Sequence, residues 1–206
     1  ALRGLDSCSW LEAKLPPTIH PLAYSLVLEP GLDGAERFVA EMSTTISVSA
    51  PTSCVIMHAR NLLITGVKVE HTTAATHQHI LCSDASSCTL VVSDIGRDMI
   101  SINILPVHMA TGAVATLVIQ YSGEYTGGMY ISAPSPQTPP IIVTQFEQTG
   151  ARSAFPCFDE PGLKAEFRAA IIVPQRAGLV VLTNMPEESR SVVPGRPHMA
   201  RVQFAT

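Results

Sequence analysis

Residues 24–48 read YSLVLEPGLDGAERFVAEMSTTISV. In the first part of this stretch Tyr24, Leu26 and Leu28 alternate with Ser25, Val27 and Glu29, and in the last part Met42, Thr44, Ile46 and Val48 repeat the pattern. A period of two marks strands with one face on a core, because successive side chains of an extended backbone point to opposite sides. Val55, Met57 and Ala59 continue it. Further β-rich runs fall at 62–69, 79–82, 89–93, 99–105, 113–121, 129–131, 141–147, 166–173, 179–183 and 200–204, and Gly, Pro, Asp or Ser closes most of them. No stretch carries a helical period over a useful length. The predicted fold is all-β, an antiparallel sandwich or twisted saddle of about a dozen strands. The 16 prolines and 13 glycines lie mostly between the runs, where they set turns and blunt exposed edges. Residues 132–140, SAPSPQTPP, read as an exposed proline-rich excursion. No internal repeat or linker divides the chain, so one domain is expected.

Composition narrows the function classes. The chain has 206 residues, 46% apolar and 15% charged, which is enough for a real core. A net charge of −4 without a Lys/Arg cluster argues against nucleic acid or an anionic membrane surface as a partner. No apolar run approaches the roughly 20 residues that a bilayer helix needs. The opening ALRGLDSCSW lacks the apolar core of a signal peptide and begins on Ala, as expected of a processed form or a fragment. No Asn-x-Ser/Thr acceptor occurs, which disfavours a heavily glycosylated ectodomain, and with no signal peptide or membrane span seen the expected compartment leans toward the cytoplasm. Five cysteines without a CxxC exclude a zinc ribbon or a thioredoxin-type motif, and Cys82 and Cys88, flanking a turn-like SDASS, are candidates to pair across a hairpin. His77 and His79 share one face of an extended run but have no third ligand nearby, so a solvated hairpin is the better reading. His58, within a strand pattern, reads as a satisfied, partly buried histidine.

The chemistry concentrates in residues 144–167, TQFEQTGARSAFPCFDEPGLKAEF. Gln145 and Glu147 are two apart in a strand-like run, so an extended backbone would aim an amide and a carboxylate at one face. Arg152, Asp159 and Glu160 are candidates for a buried ion network that ties down the 155–161 loop. Asp159 and Glu160 are adjacent and diverge on an extended backbone, a poor geometry for a catalytic carboxylate pair. Phe155, Phe158 and Cys157 read as packing, and no histidine partner for Cys157 is evident.

This stretch resembles the TQFE…ARxxFPCxDEPxxKAxF signature of the M1 family of zinc aminopeptidases, the gluzincins, whose members include aminopeptidase N. Arg152, Phe155, Pro156, Cys157, Asp159, Glu160 and Pro161 all match it. Leu15, Pro16, Pro17, Ile19, Pro21 and Tyr24 resemble the opening LPxxxxPxxY pattern of the family's amino-terminal domain. Met57, His58, Ala59, Leu62 and Ile64 are similar to its LHAxxLxI strand. Gly127 to Tyr130 resemble its glycine-aromatic turn, and Asn184, Met185 and Pro186 its SNMP turn. Ala40 and Gly150 depart from the pattern at single positions. The resemblance implies an extension at 1–14 and an all-β amino-terminal domain over 15–206. It also implies that Glu147 helps to hold the substrate α-amino group and that Gln145 lines the pocket for the first side chain. An acceptor-only carboxylate is the right chemistry for a peptide's terminal ammonium.

M1 enzymes hydrolyse peptides with an HExxH helix that binds zinc, and this sequence contains neither HExxH nor the family's GxMEN loop. The resemblance therefore implies a domain truncated near its end, with no catalytic residue and no metal of its own. It further implies zinc in the full-length parent and two partners, a thermolysin-like catalytic domain and a peptide N-terminus. The alternative is a noncatalytic M1-like scaffold or interaction module, which would need neither Gln145 nor Glu147. An adhesion or sugar-binding sandwich lacks positive support, because no aromatic platform stands out.

Overall fold

The computed structural model describes residues 8, 10–32, 35–72, 79–82, 89–105, 108–132 and 141–206. Its chain runs β1 (Ile19–Glu29), β2 (Arg37–Val48), β3 (Cys54–His58), β4 (Leu62–Thr72), β5 (His79–Cys82), β6 (Thr89–Gly96), β7 (Met99–Leu105), β8 (Val114–Glu124), β9 (Met129–Ile131) and β10 (Ile142–Thr144). A single 3₁₀ turn at Ala151–Ser153 precedes β11 (Glu166–Pro174), β12 (Glu187–Val193) and β13 (Arg196–Phe204). The protein is all-β, as the alternation predicts. No helix among the described residues is long and apolar enough to cross a membrane.

The strands form an eight-stranded sheet in the order β12-β13-β11-β1-β2-β8-β4-β5, a three-stranded sheet β3-β7-β6 and a two-stranded ribbon β10-β9. The large and three-stranded sheets face each other across one core. Met42, Ile46, Leu117 and Ile119 project from one side, and Val55, Met57, Ile102 and Ile104 from the other. The alternation in β1 changes phase at a bulge. Pro21 pairs with Ile46 but Ala23 with Thr45, so Ile19 and Pro21 point inward before Leu22, and Tyr24, Leu26 and Leu28 after it.

The structure corrects the expected fold in three places. First, the large sheet is mixed, because β1 and β11 run parallel with Ala23 opposite Glu166. More than a hundred residues separate these strands, so no hairpin constrains their direction. Second, residues 179–183 take no place in a sheet: Leu179 and Val181 pack on Val173, Val202 and Phe204, while Val180 and Leu182 are 71% and 84% exposed. Third, β12 carries no apolar alternation because nearly all of it is exposed at the sheet's edge, so nothing in its sequence announces it.

A disulfide that the spacing did not suggest is present. Cys8 and Cys54 form a disulfide across 46 residues, with Cα atoms 5.6 Å apart, and Cys157 is a buried free thiol. The bridge ties the amino-terminal extension to β3, and Trp10 packs against the main core. His77 and Cys88 lie outside the described residues, and so do the pairings proposed for them.

Candidate substrate-amine site

Gln145 and Glu147 follow the β9-β10 ribbon. The expected strand through residue 147 ends at Thr144, and the chain then folds into a turn. Gly150 N–H donates to Phe146 O at 2.8 Å, and Gln145 N–H donates to Gly128 O at 2.9 Å. The two glycines let these backbones touch: a Cβ on Gly150 would lie 2.5 Å from Gln145 O and 3.1 Å from Phe146 Cα. The departure at Gly150 thus meets a steric need of this turn. The Phe146 ring anchors the turn from below, edge-on to Phe155 at 5.6 Å, and Phe155 also packs on Tyr24 and Phe167.

Within the turn the two polar side chains have different surroundings. Gln145 Oε1 accepts the N–H of Glu147 at 3.1 Å, so its orientation is set locally and not by strand alternation. The peptide between Glu147 and Gln148 is cis. Both side chains are exposed, and the Glu147 carboxylate meets no cation or hydrogen-bond donor among the described residues. It is an acceptor-only group open to solvent on a turn that the core holds.

The signature residues lie beneath this turn. Arg152 Nε donates to Asp159 Oδ2 at 2.8 Å, and the two side chains are only 11% and 15% exposed. Asp98, in the β6-β7 turn, lies 3.8 Å from Arg152 and accepts from Arg60 Nη2 at 2.6 Å. That hydrogen bond chiefly holds the Asp98 carboxyl below its ordinary range. Glu160 does not join the ion pairs; its Oε1 accepts the N–H of Leu15 at 2.5 Å and so fastens the extension. Phe155, Pro156, Cys157 and Phe158 are buried, and Pro161 is exposed. Two tyrosines brace the segment: Phe158 N–H donates to Tyr24 Oη at 3.0 Å, and Tyr121 Oη donates to Ala154 O at 3.0 Å.

His58 joins β3 to this loop. Its backbone exchanges hydrogen bonds with Cys157 at 2.8 and 2.9 Å, and its Nδ1 accepts the N–H of Asp159 at 3.2 Å. It is the satisfied buried histidine that the strand pattern implied. Burial and then Arg152 hold its pKa below the ordinary value, against the pull of Asp159, Glu160 and Asp98. Sequence reasoning missed Arg60 and Asp98, which belong to ordinary turns, and only the approach of the two turns joins them. Among the described residues no three His, Cys, Asp or Glu side chains converge as a metal site requires.

The mixed β-sandwich carries an exposed glutamate on a turn that a braced, acid-rich segment holds from beneath. The peptidase M1 N-terminal domain model matches residues 20–206, and the chain belongs to that family. It is 29% identical over 199 residues to aminopeptidase N of Acetobacter pasteurianus, an alignment covering 94% of this chain and 50% of that protein. It is 34% identical over 176 residues to aminopeptidase M1-B of Oryza sativa subsp. japonica, covering 85% of this chain and 19% of that one. With endoplasmic reticulum aminopeptidase 1 of Rattus norvegicus it shares 31% identity over 186 residues, covering 87% of this chain and 19% of that protein. The chain thus spans between a fifth and a half of the length of these relatives, all of them aminopeptidases by name.

Proposed function

We propose that this chain is the amino-terminal domain of a zinc aminopeptidase and that Glu147 helps to receive the α-ammonium of a peptide substrate. The carrying observation is the Glu147 carboxylate, exposed and without a partner among the described residues, on a turn anchored by Gly128, Gly150 and Phe155. A charge-assisted hydrogen bond from the ammonium to that carboxylate sets the register, so that the first peptide bond meets the catalytic centre. Gln145 borders the first side chain. The hydrolytic zinc and its HExxH helix are assigned to parent polypeptide outside these 206 residues, so the piece alone is inactive. In the full-length parent, Glu147→Ala should lower kcat/KM for aminoacyl substrates by roughly 10- to 100-fold with the fold intact, the range expected for a charged hydrogen bond. Unchanged kinetics would remove Glu147 from the site and leave the scaffold reading.

The Cys8–Cys54 disulfide supports maturation in an oxidising compartment in place of the cytoplasmic one that the sequence leaned toward. Peptide mapping of unreduced protein from its source cells tests this: a linked Cys8/Cys54 peptide supports it, and two free thiols refute it.

A further inference from the structure

We infer that Arg60 is a positioning residue for Glu147, acting through Thr149; the inference rests on the reading of Glu147 just given. Arg60 Nη2 donates to Asp98 Oδ2 at 2.6 Å and to Thr149 Oγ1 at 3.4 Å. Thr149 lies two residues beyond Glu147, inside the turn closed by Gly150 N–H to Phe146 O. The guanidinium therefore links the substrate-facing turn to a carboxylate of the opposing β6-β7 turn. Both bonds leave the one Nη2, which the planar guanidinium holds farther from the backbone than a lysine ammonium on its shorter, flexible stem would sit.

The arginine is itself held firmly. Its backbone N–H donates to Arg152 O at 2.8 Å, and the preceding Ala59 N–H donates to Asp98 O at 2.7 Å. Three residues at this junction, Asn61, Arg97 and Asp98, have φ of 56°, 56° and 59°, a left-handed backbone that non-glycine residues adopt at an energetic cost. The fold accepts that cost where Arg60 meets Asp98. Paired with Asp98, Arg60 holds Thr149 without offering an uncompensated positive charge to an incoming ammonium. Other supports of the turn, the Gln145 to Gly128 and Gly150 to Phe146 hydrogen bonds and the Phe146 ring, hold its ends, and Arg60 adds a side-chain hydrogen bond to Thr149 between them.

The test uses the full-length parent and an aminoacyl arylamide, comparing Thr149→Val, Arg60→Ala, Arg60→Lys, their double variant R60A/T149V, and Glu147→Ala. Thr149→Val and Arg60→Ala should each raise KM roughly threefold to tenfold with kcat within twofold, as loss of one hydrogen bond to a binding turn predicts. The double variant should be no worse than Arg60→Ala alone, because both remove the same link. Arg60→Lys should restore stability through Asp98 while KM stays raised. Thr149→Val leaves the Arg60–Asp98 pair in place, so it decides the matter if Arg60→Ala lowers the melting temperature. Wild-type KM in Thr149→Val alongside an impaired Glu147→Ala overturns this inference alone. Wild-type kinetics in Glu147→Ala overturn the reading of Glu147 and this inference with it.

Discussion

A Cβ built on Gly128 overlaps the carbonyl of Gly150, so the backbone ahead of β9 and the backbone after β10 lie in direct contact with no side chain between them. This contact sets how far the Gln145–Glu147 turn stands above the buried signature. Gly128→Ala would push the two segments apart and should lower stability by roughly 1–3 kcal/mol, the usual cost of overpacking. Denaturant unfolding of the domain measures it, and an unchanged midpoint would show that the turn yields freely.

Arg152 and Asp159 form the most buried ion pair of the signature. Arg152→Leu should destabilise the domain by about 3–5 kcal/mol, because Asp159 is left charged and largely out of water. Thermal melting at neutral pH reads this directly. A loss below about 1 kcal/mol would mean that the pair is solvated in solution.

His58 gives the domain an acid-sensitive joint. Its native pKa lies below the unfolded value, so the unfolded chain binds the proton more readily. Stability is therefore fully present above the unfolded pKa of about 6.5 and falls as pH drops below it, by at most about 1.4 kcal/mol per pH unit for one proton. Asp98, with its pKa lowered by Arg60, adds a second loss at lower pH, below its ordinary value of 3.8. Urea midpoints between pH 7 and 5 should show the first limb, and His58→Gln should flatten it.

The Cys8–Cys54 bridge closes a loop across 46 residues, which by chain entropy contributes about 4 kcal/mol. Reduction or Cys8→Ser should lower the melting temperature by an amount that reflects it. Cys157 behaves oppositely: burial pushes its thiol pKa well up, and native protein should resist alkylation there until it is unfolded.

Much of the architecture follows from local chemistry. The alternation of β2 and β8, the Gly–Gly step before β9 and the apolar run of 155–158 each state which face is buried, because pleat and burial are read from neighbouring residues. Arg152, Asp159 and Glu160 stood out as charges in a largely apolar segment, but the sequence did not say that Arg152 and Asp159 would pair while Glu160 turns to Leu15. Glu147 alone reads as an ordinary solvated glutamate, and only the family resemblance implies a role for it.

Tertiary structure decided what depends on contacts between distant segments. The parallel placement of β11 beside β1, the edge strand β12 and the Cys8–Cys54 bridge leave no local mark. Gln145 and Glu147 share a turn, and not a strand face, because Gly128, just ahead of β9, packs against Gly150. Arg60, Asp98 and Thr149 come from three separate turns whose sequences are unremarkable. Sequence patterns report each residue's preference for core or solvent, whereas partnership arises from chain crossings that no short window contains.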